Sequence, residues 1–338
     1  MKEILNCPIC KNEECEEIFR RRLIYPPVEM RDNVLDFTIV RNKILFDEIL
    51  HKKNPIDFIF KICTNCGFIF FSPRCEEKDY EIKFSVKNEI GIDEVFEKTQ
   101  YSRKNKLYSK TYDDKRAFMI YKRLSTSRKI ERATVIDIGG ARGLNLKYFL
   151  PDNICYVVDY VKHDLLEGVE YLCKSSQDIP ESIKADVVLF CHTLEHVLDP
   201  VNEISNIKNI LKPGGLLYIE VPPGCWQEYK YISNFITHIN FFSEGSLWCL
   251  LDMCGLRIKY LKLIPLISRI RYEPMIMAIT ENSTSDNREV NGYQITCEQM
   301  KGRHIPLRLY TNLMSLKLMK LRYFLWLLKR IKLAIKKS

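Results

Sequence analysis

Val135-Ile136-Asp137-Ile138-Gly139-Gly140-Ala141-Arg142-Gly143 decides the fold. Apolar residues run straight into a glycine-rich turn, the signature of a buried strand that ends at a ligand-binding loop. The strand is Thr134–Ile138, and a helix is expected over Gly143–Leu150, stopped by Pro151. Ile154-Cys155-Tyr156-Val157-Val158-Asp159 reads as a second strand with an acid at its tip. Ala185–Cys191 reads as a later buried strand, and Pro200–Leu211 as a helix with apolar positions Val201, Ile204, Ile207 and Leu211. Lys212-Pro213-Gly214-Gly215 turns the chain into Leu216–Val221. Leu256–Ile264 and Pro274–Thr280 suit closing antiparallel strands. Continuous apolar strands separated by helices mean an α/β class, a Rossmann-like doubly wound sheet covered on both faces. Such sheets bind ligands at the carboxyl ends of their strands.

The glycine spacing chooses the cofactor. A dinucleotide fingerprint, G-x-G-x-x-G/A, would need Gly139, Ala141 and Leu144, and Leu144 blocks close approach of helix to strand. Gly139, Ala141 and Gly143 instead give G-x-G-x-G with alanine in the middle, the spacing seen in S-adenosylmethionine-dependent methyltransferases. Asp159, at the next strand end, is placed to accept hydrogen bonds from two ribose hydroxyls. The competing reading is a merely structural glycine turn.

Residues 134–221 resemble a class I methyltransferase. Asp137–Gly143 matches the first motif, Leu194-Glu195-His196-Val197-Leu198-Asp199-Pro200 the segment after the fourth strand, and Leu211-Lys212-Pro213-Gly214-Gly215-Leu216-Leu217 the signature before the fifth. With the early Cys-x-x-Cys pairs and His238-Ile239-Asn240-Phe241-Phe242-Ser243, residues 1–280 resemble one subgroup. It has an N-terminal zinc-binding domain and includes sugar and nucleotide-sugar C-methyltransferases. The resemblance implies that Asp137, Gly139, Gly140, Ala141, Gly143 and Asp159 hold S-adenosylmethionine, with His192 on the cofactor side. The adenine-contacting acid of the family aligns near Ser175, which leaves the adenine to Asp178 or to backbone. Thr237 stands where the sugar C-methyltransferases place Glu before the last-motif His, which favours O- over C-methylation.

The first pair is Cys7-Pro8-Ile9-Cys10 and the second Cys63-Thr64-Asn65-Cys66-Gly67. Two such turns supply a tetrahedral sulfur set, the geometry of a closed structural zinc site. Two unrelated buried cysteine pairs are the alternative. The 52 residues between Cys10 and Cys63 must loop out, with strand-like pieces at Phe37-Thr38-Ile39-Val40 and Phe58-Ile59-Phe60. Cys15 and Cys75 have no partner at knuckle spacing.

Three histidines fall on segments expected to face the pocket: His192 and His196 after the fourth strand, and His238 in the aromatic insertion Pro222–Phe242. His238 is the first candidate for general base, with Phe235, Phe241 and Phe242 as a shield and substrate platform. A packed loop histidine is the alternative. His196 is a second candidate, and Glu195 is placed to orient it or to neighbour the cofactor.

The 338 residues, 46% hydrophobic and 28% charged, allow two globular domains. We expect a zinc module with an insertion over 1–92, a helical connector over 93–132, the cofactor domain over 133–282, and a linker with a basic helical tail over 283–338. Residues 301–338 hold eleven Lys/Arg and no acid, so the +9 net charge belongs to the tail and residues 1–300 sum to −2. A near-neutral body does not suit a phosphate-tracking surface, so no nucleic acid is expected, and RNA methylation is the secondary reading. A third is a cofactor-binding scaffold without catalysis. Thirteen cysteines, and a start Met1–Asn6 without a long apolar region, suggest a reducing cytoplasm. Residues 303–338, basic and aromatic, fit an interfacial helix on the anionic inner leaflet, with packing on the body or a dimer contact as alternatives. The expected substrate is a sugar, nucleotide-sugar or glycan of capsule, lipopolysaccharide or surface polysaccharide synthesis.

Overall fold

The computed structural model describes residues 1–24, 44–51, 53, 55–82, 103–126, 128–224, 238–267, 272–284 and 289–303. The strand-like piece 37–40, Phe235, Thr237 and the basic tail beyond 303 lie outside the described residues.

Among the described residues two sheets share one body. The larger has seven strands: β4 (Thr134–Ile138), β5 (Ile154–Val158), β6 (Val169–Cys173), β7 (Ala185–Cys191), β8 (Leu211–Val221), β10 (Arg257–Ile267) and β11 (Tyr272–Glu281). Their order is β10-β11-β8-β7-β4-β5-β6. β6, β5, β4, β7 and β8 pair in parallel, and β11 inserts antiparallel between β8 and β10. The chain reverses direction across β4, so the ends of β4 and β7 form the switch-point crevice.

Strand period explains the two-sided core. Val135, Val187, Leu189, Leu216 and Tyr218 face one side, against Ile120 and Leu124 of helix α1 (Arg103–Ser125) and Leu146 and Phe149 of the following turns. Ile136, Ile138, Val188, Phe190, Leu217 and Ile219 face the other. They pack on Ile204 and Ile207 of α2 (Pro200–Ile210), on Leu247 and Leu250 of α3 (Glu244–Met253), and on Phe68 and Phe70 of the N-terminal region. Asp199 caps α2 by accepting from the Val201 and Asn202 amides.

The helix expected over Gly143–Leu150 is absent. Gly143 takes a left-handed φ of 72°, and only 3-10 turns follow at Leu144–Leu146 and Leu150–Asp152. The left-handed glycine breaks the helical path at its start, and Asn145 is drawn into tertiary bonds with Asp137 and Arg116.

The smaller sheet runs β1 (Cys15–Leu23), β2 (Ile56–Cys63), β3 (Ile69–Ser72) and β9 (Asn240–Phe241), all antiparallel. Its fourth strand comes from the segment after β8. Phe241 and Phe242 therefore pack inward, their rings 5.7 Å from Phe60 and 5.1 Å from Phe68. They do not form the substrate platform expected of them. The two rings point to opposite faces: Phe241 joins the core of the small sheet, and Phe242 packs with Phe68 in the core beneath the large sheet.

Residues 289–303 are not a linker. Helix α4 (Gly292–Glu298) buries Gly292 and Thr296 against the second cysteine pair and α3. Thr296 hydrogen-bonds Ser243, and Gln299 bonds Glu244. The polar residues that read as solvated are making tertiary bonds. A Cβ at Gly292 would lie 2.4 Å from the Cys66 carbonyl oxygen, so only glycine allows this approach.

Candidate active site

The turn after β4 lies open at the carboxyl edge of the large sheet, with Gly139, Ala141 and Arg142 exposed. Asp159, just past β5, accepts from the Ala141 amide at 2.8 Å and from the Val161 amide at 3.1 Å. Each carboxylate oxygen keeps a lone pair for a further donor. Asp137 is fully buried beneath the loop; one oxygen accepts from Asn145 at 3.1 Å and the other, Oδ1, has no hydrogen-bond partner among the described residues. Burial pushes its carboxyl up to about 7, against the Asn145 hydrogen bond and the Arg116 charge. Gly139 has φ 72°, and a side chain there would meet Thr193 Oγ1 at 2.2 Å. Asp178 lies apart, exposed in the 3-10 turn after β6 and bonded to Ser175 at 2.9 Å.

Beside this loop the turn after β7 gathers the histidines. His192 takes a left-handed φ of 54°, a conformation that costs a non-glycine residue about 1–2 kcal/mol and recurs at functional sites. Glu195 is 1% exposed. Its Oε1 lies 3.6 Å from His192 Nδ1 and 3.8 Å from His196 Nε2, and its Oε2 is buried without a hydrogen bond among the described residues. The His196 and His238 rings meet edge to face at 4.8 Å. Burial alone would raise the Glu195 carboxyl, but the close approach of His192 and the charges of His196, His192 and His238 bring it down to about 2. Glu195 is thus an anion enclosed by three imidazoles. The Ile239 amide donates to its carbonyl oxygen at 3.0 Å, tying the His238 strand to the Glu195 turn.

A residue unforeseen from the sequence joins the two halves. Arg116 of α1 pairs with Glu220 near the end of β8, and its Nε reaches Asn145 Oδ1 at 3.4 Å. Glu220 also accepts from Tyr218, and lies 3.9 Å from His192 Nε2. A polar chain thus runs Asp137–Asn145–Arg116–Glu220–His192–Glu195. Glu220 carried a readable signal, an acid inside the apolar run 216–221. Arg116 carried none, being one of many cations on a charged helix.

The four knuckle cysteines converge at the far end of β2. Their sulfurs lie within 4.8 Å of one another, with Cys7–Cys66 at 3.6 Å and Cys10–Cys63 at 3.4 Å. Zinc–sulfur bonds of about 2.3 Å in a tetrahedron separate sulfurs by roughly 3.8 Å, so the set fits zinc. The two turns are alike. Lys11 N donates to Cys7 O at 3.0 Å and Gly67 N to Cys63 O at 2.9 Å, and both residues are left-handed, at φ 60° and 72°. Asn12 Nδ2 lies 3.7 Å from Cys63 Sγ, and Cys15 Sγ donates to Asn12 O. Cys75 is buried in the core of the small sheet.

Residues 109–261 match the family model described as "Methyltransferase domain". The chain carries a methyltransferase domain. The match includes most of α1, so the helix expected as a connector lies largely within this domain. No curated protein matches the sequence. Among solved structures, the chain is similar to 1,6-didemethyltoxoflavin-N1-methyltransferase of Burkholderia thailandensis, solved with 1,6-didemethyltoxoflavin and S-adenosylhomocysteine. The identity is 16%, the TM-score 0.45, and the match covers 68% of this chain and 96% of that one. It is also similar to magnesium protoporphyrin IX methyltransferase of Synechocystis PCC 6803 (12% identity, TM-score 0.45, 60% and 100% covered). A third likeness is to a SAM-dependent methyltransferase of Methanosarcina mazei (19%, TM-score 0.37, 45% and 92% covered). The general activity is methyl transfer. Within the methyltransferase domain, the sequence-selected Asp137, Gly139, Gly140, Ala141, Gly143, Asp159 and His192 come together along one edge. Glu195, His196 and His238 form the adjoining cluster.

Proposed function

We propose that the protein methylates a hydroxyl of a sugar or sugar-linked group in capsule, lipopolysaccharide or surface-polysaccharide synthesis. The observation that carries this reading is the buried Glu195 anion with His196 and His238 beside the glycine loop. A sugar hydroxyl must lose its proton as it attacks, and an imidazole held by a carboxylate is the usual acceptor.

Asp137, Gly139, Gly140, Ala141, Gly143 and Asp159 would hold S-adenosylmethionine. The exposed glycine loop, the orphaned Asp137 oxygen and the spare Asp159 lone pairs suit that ligand. When bound, it supplies a methyl group already made electrophilic by sulfonium. Asp159 accepts from the ribose and Asp178 or backbone serves the adenine. His238 takes the hydroxyl proton, and the Glu195 anion steadies the imidazolium so formed. Closing the pocket excludes water and aligns the reacting atoms, worth roughly 7–11 kcal/mol. Cys7, Cys10, Cys63 and Cys66 would hold zinc in a closed four-thiolate site, which folds the N-terminal region and does no chemistry.

C-methylation is the second reading, and one observation favours it. The acid missing at position 237 is supplied in space by Glu195, next to His238.

Mass spectrometry of surface glycans from cells with and without the chain tests the substrate class. A glycan one methylene lighter without it supports the reading, and identical glycans sink it. His238→Ala should reduce turnover on the order of a hundred- to ten-thousand-fold while S-adenosylhomocysteine still binds. Unchanged turnover removes His238 from the mechanism. We place the protein in the cytoplasm with residues 303–338 on the inner leaflet. Among the described residues no helix is long and apolar enough to cross a membrane. Equal sedimentation with anionic liposomes after deletion of 303–338 would reject the membrane contact.

A further inference from the structure

The methyltransferase cluster is held partly from outside its own domain. Arg74, just after β3, is 3% exposed. It forms no ion pair among the described residues; its Nη2 donates to Asn240 Oδ1 at 2.8 Å and approaches Leu198 O at 3.5 Å. A buried guanidinium without a carboxylate partner is costly to keep, and the one short side-chain bond it makes, to Asn240, is what the fold gains from it. Burial pushes its pKa down to about 10 even with Tyr80, Cys75 and Asp199 acting to raise it.

Asn240 shows where the gain goes. Its carbonyl is taken by Arg74, and its two amide hydrogens go to Leu194 O at 2.8 Å and Val197 O at 2.7 Å. These two carbonyls flank Glu195 and His196. The same residue lies two positions after His238 and, in β9, pairs with Phe70 of β3. Tyr80, in the helical stretch 77–82, donates to the His196 carbonyl at 2.6 Å. The N-terminal region therefore grips the turn that bears Glu195 and His196, and the strand that bears His238, through one saturated amide.

We propose that Arg74 and Asn240 are positioning residues: the N-terminal region uses them to fix His196 and His238 against Glu195. The inference deepens the reading of the histidine cluster as the proton acceptor and rests on it. Arg74 fixes the amide so that Asn240 presents both hydrogens to the turn. Without that donor the amide is free to turn, and the Leu194 and Val197 carbonyls lose fixed partners. The cluster then loosens while the glycine loop, which touches neither residue, stays as it is.

The test needs no methyl acceptor. Full-length, zinc-loaded protein with Cε1-labelled histidine gives one ring signal for each of its six histidines. His196→Gln and His238→Gln assign the two of interest. In Arg74→Met and in Asn240→Ala, at pH 7.5, the His196 and His238 signals should leave their parent positions while His51 and His163 stay. Arg74→Lys, which keeps a cation and a donor, should bring them part of the way back. Zinc content should be unchanged, and S-adenosylhomocysteine affinity should stay within about twofold, because neither Arg74 nor Asn240 bonds the glycine loop or Asp159. Six signals superimposing on the parent in both variants would overturn the proposal. So would equal displacement of all six, or a matching loss of zinc, because the residues would then serve the fold alone. Should Arg74→Met not fold, Asn240→Ala decides by the same signals. Failure of S-adenosylhomocysteine to bind the parent protein would count against the methyltransferase site and leave the ring signals readable.

Discussion

The glycine loop and the histidine cluster lie side by side on one sheet edge, yet they are assembled in opposite ways. The loop is local: Asp137 through Gly143 is seven consecutive residues, completed by Asp159 at the neighbouring strand end. The cluster is composite. His192, Glu195 and His196 come from the turn after β7, His238 from the approach to β9, and the braces Arg74 and Tyr80 from the N-terminal region. A local site survives the loss of distant structure, whereas a composite one depends on every segment that meets there.

Metal removal should separate the two most strongly. A structural zinc contributes about 10 kcal/mol or more where it folds a small module. A strong chelator should release one equivalent of zinc and strip amide-exchange protection from β1, β2 and β3, leaving β4, β7 and β8 protected. Equal loss in both sheets would end the contrast, and full retention would remove the zinc role.

Acid–base linkage should separate them next, and with opposite signs. The Asp137 carboxyl is raised from 3.8 to about 7 in the fold, so its stabilising protonated form is present below pH 3.8 and lost as pH rises through 7. Asp137→Asn removes that slope and should leave the unliganded protein more stable than the parent at pH 8, by up to about 4 kcal/mol in urea unfolding. Glu195 is depressed from 4.5 to about 2. Its contribution is present above pH 4.5 and disappears as pH falls toward 2. Glu195→Gln should flatten the acid limb of the stability curve by about 3 kcal/mol. Parallel pH curves for parent and variant would sink either claim.

The smallest effect is confined to the loop. Gly139→Ala forces a methyl group into a left-handed position, at about 1–2 kcal/mol, and against Thr193. S-adenosylhomocysteine affinity should fall about tenfold or more, with the His238 ring signal unmoved. Unchanged affinity would mean that the loop does not form the cofactor contact.

Legibility in the sequence followed the same division. The parallel strands announced themselves because both faces are buried and every residue of Val187–Phe190 is apolar. The knuckles and the glycine loop were legible because their chemistry sits within a few residues. Position 143–150 misled because Leu and Lys suit a helix, while the left-handed Gly143 and the tertiary bonds of Asn145 could not be read from the sequence. Residues 289–303 misled because burial of Gly292 and Thr296 depends on partners far away in sequence. Phe241 and Phe242 look alike as members of a pocket or of a core, and only the packing of Phe241 on Phe60 and of Phe242 on Phe68 assigns them. Arg74, Asn240 and Arg116 had no local pattern; their roles come from partners 166, 46 and 104 positions away.

The two-residue strand β9 also constrains how the chain is made. During synthesis β1, β2 and β3 leave the ribosome well before Asn240 and Phe241, and β3 meanwhile carries an open edge lined with phenylalanines. Such an edge is a template for the wrong partner until its own strand arrives. The early sheet must wait for about half of the chain to be translated, and a slow, vulnerable interval during biogenesis is the cost of taking its last strand from so late in the sequence.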